Sequence, residues 1–447
     1  MSPRLYRVAL RAAIGAALCV AILPAACGGE ESPPARPIGD GGDEASLLGD
    51  GGTPPPEAAP PPGEPCGDLG GVELGAAWPV LGGCPKRANV TVSFTGPRTT
   101  DVKWTFAAPI TGAGAVVGAG GALWIGTGDG RLVSLSAGGA LRAVANVGGA
   151  VRAAAALTRS RVVVVGTDQG LVGLVPEAAD AGAVDAGAVD AGDDASADGG
   201  DAGDAAPPLG ARVVFRRSIG VVLSSPALAG DGTIYVTTTD GTLHAIAADG
   251  SASKWTAPTG DTSGLAPAVA TNGTVYCGSS DGKLYAFSPA GALAWSVPLG
   301  AAVTAGPVVG GDENVYVGTE DGKLHEVAPD RSVRWSYPTG GPLRGAPAVL
   351  RGTVYVASED KSVHAVATST GKSAWTYATG GTPTAPLVAR DGTIYFGSSD
   401  GRAYAVSPTG LLVWAQNLRG KARGALAISD VGALYVPTET GLVAIGP

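Results

Sequence analysis

Past residue 100 the chain is built from short apolar runs, four to six residues long, punctuated by Asp-Gly, Asn-Gly and other turn-forming pairs. The stretch 231–258, DGTIYVTTTDGTLHAIAADGSASKWTAP, shows the unit in full. A small-residue run at 225–229 reads as strand A, 233–238 as strand B, and 242–247 as strand C, with Asp240-Gly241 supplying the tight turn between B and C. A fourth strand, D, carries Trp255. Both faces of B and C are apolar or aromatic, the pattern of a sheet covered on both sides. Copies follow at 272–298, 312–338, 351–378 and 391–417. No amphipathic helix is predicted beyond the first thirty residues.

The period gives the architecture. An aromatic residue in strand B recurs at Tyr235, Tyr276, Tyr316, Tyr355, Tyr395 and Tyr435, at intervals of 39 to 41 residues, and Trp124 and Val164 occupy the same place upstream. Repeats of this length whose members each lack a complete core stack on one another. The interval from Val164 to Tyr235 is 71 residues, and the excess is a run of Asp, Ala and Gly, placing an unstructured insertion at 177–208 in the second repeat. Strand D is marked by Trp104, Val144, Phe215, Trp255, Trp295, Trp335, Trp375 and Trp414. The eighth repeat ends without its own strand D, and the strand at Trp104 is spare. The expectation is an all-β, eight-bladed β-propeller of four-stranded antiparallel blades over 100–447, its ring closed by an N-terminal strand completing the last blade.

Composition agrees: 72 glycines and 34 prolines among 447 residues, with methionine only at position 1, suit turns rather than helices. The formal charge of −9 is unevenly spread. Arg4, Arg7 and Arg11 precede an apolar run at 12–23 that is too short to span a bilayer, so 1–26 reads as a secretory signal. Residues 28–64 hold eight acidic groups against one basic, and 177–208 hold nine against none. Both are solvated spacers, 27–64 acting as a Gly/Pro/Glu tether. With them and the signal set aside, the body carries about +4, which gives no case for nucleic acid.

Five cysteines are present. Cys19 lies in the signal; Cys66 and Cys84 are a candidate disulfide in an oxidising compartment, stapling the lead-in segment 65–99; Cys277 replaces a strand valine and reads as a buried thiol. The sequence Pro24-Ala-Ala-Cys27 resembles the lipobox of bacterial lipoproteins, although Pro24 stands where that family prefers leucine. The resemblance implies lipidation of Cys27, and Gly28 in place of aspartate implies retention at the outer membrane.

The stretch 78–87, WPVLGGCPKR, followed by the YVGTxDGxLYA and TGxxxW elements, resembles the pyrroloquinoline-quinone-like repeat family over roughly 76–447. Quinoprotein dehydrogenases of that fold hold the quinone and a calcium ion near the axis with acidic and amide side chains. The axial strands predicted here, among them AGAVVG, SSPALAG and TAPLVA, carry no Asp, Glu, Asn or His. No cofactor and no metal is therefore expected. His244, His325 and His364 share one repeat position on separate blades, too far apart for one ion, and the Asp-Gly pairs at 129, 240, 281, 321 and 400 are turns.

The layout is similar to the BamB-like lipoproteins that scaffold outer-membrane protein assembly. The reading is thus a monomeric, non-catalytic binding or scaffold lipoprotein of the bacterial envelope, facing the periplasm or the cell surface, with an unidentified envelope protein as partner. A quinone-dependent alcohol or sugar oxidoreductase and a surface carbohydrate-binding module stand as alternatives. One candidate site emerges from register. Arg152, Arg344 and Arg423 occupy the same position before strand A in blades two, six and eight, with Arg419 and Lys421 beside Arg423. They are expected to ring one mouth of the axial channel, with no acidic residue on the inner strands to neutralise them.

Overall fold

Alternating strands and turns at a forty-residue period do form a ring of sheets. The structure, a computed structural model, describes residues 90–91, 94–110, 114–176, 210–260 and 264–446. Eight four-stranded antiparallel sheets account for these residues, and the one helical element among them is a single 3-10 turn, Ala119–Gly121. Strands run A to D from the axis outward. In blade 3 they are Ala227–Leu228, Ile234–Thr237, Thr242–Ile246 and Ser253–Pro258. The predicted register holds in every blade: the marker residue of strand B faces strand A at Ala227↔Tyr235, Ala268↔Tyr276, Val308↔Tyr316, Ala348↔Tyr355, Leu387↔Tyr395 and Ala427↔Tyr435, with Val116↔Trp124 and Ala156↔Val164 in blades 1 and 2.

Blade 8 is composed as expected from both ends of the chain. Its inner strands are Ala427–Ile428, Leu434–Thr438 and Gly441–Ile445, and its outer strand is Val102–Ala107, paired antiparallel with Gly441–Ile445. Gly446 N donates to Asp101 O at 3.1 Å, so the break in the ring falls where the other blades have their C–D hairpin. In blade 2 the strands Gly170–Pro176 and Ala211–Arg217 pair as C and D, which puts the acidic insertion in their connection. Cys27, Cys66, Cys84 and the insertion itself lie outside the described residues.

Turn chemistry explains the spacing. Asp240 Oδ1 accepts from Thr242 N (3.1 Å) and Thr238 Oγ1 (2.5 Å), while Gly241 takes φ +78°, and the aspartates at 281, 360 and 400 accept the same backbone bond. These aspartates are hairpin residues. The histidines pack beside them: His364 Nε2 meets Asp360 Oδ2 at 2.9 Å, and His325 bonds Thr319 and Ser336. No group of three or more His, Cys, Asp or Glu among the described residues is placed to hold a metal ion. Cys277 is fully buried, and burial pushes its thiol up, away from the reactive thiolate.

The core lies between blades. Buried clusters join the strands of neighbouring blades, such as Trp124 and Leu132 of blade 1 with Val163 and Val172 of blade 2. Within six blades the strand-B tyrosine meets the strand-D tryptophan at 5.6–6.0 Å, from Tyr235–Trp255 through Trp104–Tyr435. The tryptophan also reaches its neighbour. Trp104, Trp255, Trp335 and Trp375 donate Nε1–H to the carbonyls of Ala137, Pro289, Thr368 and Pro408, each in the C–D turn of the next blade. The turn glycine beneath the indole must be glycine twice over: at Gly410 φ is +84°, and a Cβ would stand 2.8 Å from Trp375 Cγ.

For Trp414 of blade 7 the next blade has no C–D hairpin, and the chain before the closing strand replaces it. Trp414 Nε1 donates to Pro97 O at 2.9 Å, and Tyr395 OH donates to the same oxygen at 3.3 Å. Upstream, Thr91 N donates to Val388 O (2.9 Å) and Val90 bridges Val388 in parallel, adding a fragment of strand to the inner edge of blade 7. The described residues 90–91 and 94–98 thus lace blade 7 to blade 8.

Candidate functional site

Because strands alternate in direction, the D–A connections and the B–C turns share one end of the ring. That end carries the five predicted cationic residues. Arg152 and Arg344 line a cavity of about 330 Å³ at the axis, walled mostly by small residues near the starts of the inner strands, such as Ala153, Ser225, Ala266 and Gly306, together with Leu223 and Leu265. Arg344 also lines an adjoining cavity of about 810 Å³ with Lys421, Arg423 and Glu439. Four of the five are therefore brought together around the mouth. Arg419 is not: it lines a separate cleft between the outer strands of blades 7 and 8.

The mouth is not the unneutralised positive field expected from the inner strands. Those strands carry no carboxylate, but the B–C turns above them do. Arg344 makes a bidentate pair with Glu320 of blade 5 (2.7 and 2.9 Å), and its Nε donates to Glu359 of blade 6 at 2.8 Å. These two carboxylates, Glu359 first, hold its guanidinium above the usual arginine value. Arg423 stands 3.6 Å from Glu439 of blade 8, which also accepts the Lys421 amide at 3.4 Å. Arg152 is exposed and has no ion pair among the described residues. Among the described residues four cations thus face three carboxylates, and Arg152 and the Lys421 ammonium are the two without an ion pair. The glutamates were missed because each lies in the turn after strand B, outside the register that aligned the arginines.

A quinone with a calcium ion does not fit here. Among the described residues the axial cavity is lined by two guanidinium groups and no carboxylate or carboxamide, whereas calcium needs six to eight oxygen ligands, chiefly anionic.

Blade 5 holds a second feature that register reasoning passed over. Glu326 sits in strand C where the neighbouring repeats have Ala286 and Ala365, and it is buried. Asn314 Nδ2 donates to Glu326 Oε1 at 2.6 Å and to Asp312 Oδ2 at 2.9 Å, and Tyr316 OH bridges the same two carboxylates at 3.1 and 2.8 Å. Burial raises the Glu326 carboxyl above its ordinary value, with Asp312 adding to the shift, against the lowering effect of its two donors. Its protonated form is therefore favoured by folding. That stability is present at acid pH and is lost as pH rises through the raised folded value. Glu326→Gln keeps both acceptor contacts without the charge, so the melting temperature of the variant relative to the parent should climb from acid to neutral pH. A difference that stays flat across that range contradicts the account of this carboxyl.

A closed ring of eight four-stranded blades with a small-residue axis and a charged mouth defines a β-propeller. The sequence profile described as outer membrane protein assembly factor BamB matches residues 188–290 and 280–438, more than half of the chain, and the chain belongs to that family. Among solved structures it is similar to BamB from Moraxella catarrhalis, with 17% identity and a TM-score of 0.59, covering 77% of this chain and 96% of that one. It is similar also to the computationally designed Ika8 protein, at 12% identity and a TM-score of 0.60, covering 77% and 98%. No curated protein matches significantly. At these identities the structural likeness concerns the fold.

Proposed function

We propose that this protein is a non-catalytic scaffold of the bacterial envelope, tethered to the outer membrane through Cys27 and binding a protein partner at the charged mouth of its propeller. The observation that carries this reading is the mouth itself. Arg344 and Arg423 are held in fixed directions by glutamates of three blades, and Arg152, exposed and without an ion pair among the described residues, lines the same axial cavity as Arg344. Such a surface suits an acidic segment of a partner, since pre-positioned guanidinium groups lose little freedom on binding carboxylates. Family membership supports the same reading, because the matching profile is that of an assembly factor.

Titration of the full mature chain with polyglutamate at low salt tests it. The Arg152→Ala/Arg344→Ala/Arg423→Ala variant should bind roughly threefold to a hundredfold more weakly, since each exposed charge contact contributes about 0.2–1 kcal/mol, while melting as the parent does. Equal binding would remove the mouth from the account. The tether is tested separately: Cys27→Ser should move the protein from the membrane to the soluble fraction, and unchanged partition would sink the anchor.

A further inference from the structure

We infer that the outer edge of blade 7 is a second interaction surface, one that takes an extended, uncharged strand of a protein partner ending in a carboxylate. It is independent of the axial mouth. Every blade of the ring exposes the free edge of its outer strand, and such edges invite pairing with foreign strands unless charge blocks them. Six of the eight outer strands carry a cation: Lys103, Arg142, Arg212, Lys254, Arg334 and Lys372. The outer strands of blades 4 and 7, Leu293–Pro298 and Leu412–Asn417, carry no charge at all.

Blade 7 goes further than lacking a charge. Leu411, Leu412 and Val413 are 69, 50 and 51% exposed, three consecutive aliphatic residues at one end of the strand, whereas blade 4 offers Leu293 alone. At its other end the strand opens into a cleft of about 670 Å³, walled by Gln416 and Leu418 on one side and by Val102 and Phe106 of the closing strand on the other. Arg419 lines this cleft. Its backbone is left-handed (φ +57°), with its amide tied to Asn417 Oδ1 at 3.0 Å, and its guanidinium has no ion-pair partner among the described residues. Apolar edge, unpaired main chain and open cation thus lie in sequence along one line about 20 Å long for a six-residue strand. A partner strand added here would have its main chain matched by the free edge, its apolar side chains by Leu412 and Val413, and its terminal carboxylate by Arg419.

The ring itself supplies the test variant. Lys254, Arg334 and Lys103 stand immediately before the tryptophan in blades 3, 5 and 8, the place Val413 holds in blade 7, so Val413→Lys installs a charge that this architecture already accommodates. The probe is a fluorescein-labelled, C-terminally amidated octapeptide of alternating Thr and Val ending in Asp, followed by anisotropy with the full mature chain. The parent should bind it, Val413→Lys should weaken binding at least roughly tenfold, and a proline at the centre of the peptide should do the same by removing a main-chain donor. Arg419→Ala should weaken the Asp-ended peptide and leave an Asn-ended one unchanged. The triple arginine variant of the mouth should bind the octapeptide as the parent does, which separates this surface from the axial one. No binding by the parent at millimolar peptide, or equal binding by Val413→Lys, overturns the proposal. So does a parent dimer in sedimentation that Val413→Lys dissolves, because the edge would then be filled by a second copy.

Discussion

Replacing Trp414 by alanine should cost about 3–5 kcal/mol, the range for removing a buried indole from a core, and should lower the urea midpoint more than the same change at Trp255. Both tryptophans pack at a tilt against a tyrosine and donate to a backbone carbonyl, of Pro97 for Trp414 and of Pro289 in the following blade for Trp255. They differ in what lies beneath. Trp255 is half-buried over a continuous hairpin, whereas Trp414 is only 7% exposed and its acceptor, Pro97, belongs to the chain that laces the ring shut. Losing the indole leaves a cavity at the seam and removes one of two donors to Pro97 O. Trp414→Phe, which keeps the ring but not the N–H, should recover most of the loss, leaving about 1 kcal/mol for the hydrogen bond. Equal midpoints for Trp414→Ala and Trp255→Ala would show that the seam has no special weight.

The second large effect concerns closure. A chain lacking 90–107 should fail to give a soluble, cooperatively melting protein. It would lose the outer strand of blade 8, the Pro97 acceptor and the Val90 bridge together, exposing Trp414 and the edge of Gly441–Ile445. A circular permutant joining 446 to 101 by a short linker and opened within 177–208, which keeps the closing strand but not the Pro97 acceptor or the Val90 bridge, should fold and melt cooperatively, below the parent temperature. Thr99 Oγ1 already donates to Gly446 O at 3.1 Å, so the two ends lie side by side. The linker would give blade 8 the hairpin that the other blades have. If the truncated chain melts like the parent, the closing strand is dispensable; if the permutant fails to fold, the region opened at 177–208 is part of the folded body.

These two outcomes rest on features of unequal visibility in the sequence. Blade number, strand register and the closing strand were legible because one side chain per strand recurs at a fixed spacing, and a sheet buried on both faces leaves little freedom in what may occupy it. Trp104 stands in the sequence as a strand marker without a repeat of its own, and it lies in the closing strand. Pro97 was not legible: its role is to present a backbone carbonyl, and nothing in a side chain announces that. The mouth was half legible. The position before strand A aligned Arg152, Arg344 and Arg423, but Glu320, Glu359 and Glu439 approach from turns of three different blades, and such contacts follow from the ring geometry rather than from the repeat. Glu326 left a signal of another kind, one acidic letter at an alanine position, legible only as a departure from the pattern. The outer edge of blade 7 is again a departure, an uncharged strand among charged ones.

The measurement closest to the central claim is affinity capture from solubilised envelope membranes with the parent and with the Arg152→Ala/Arg344→Ala/Arg423→Ala variant, quantified side by side at equal melting temperature. The account predicts a defined envelope protein retained by the parent and lost from the variant, with retention falling as salt screens the mouth. The same protein held equally by both, at low and high salt alike, would contradict it.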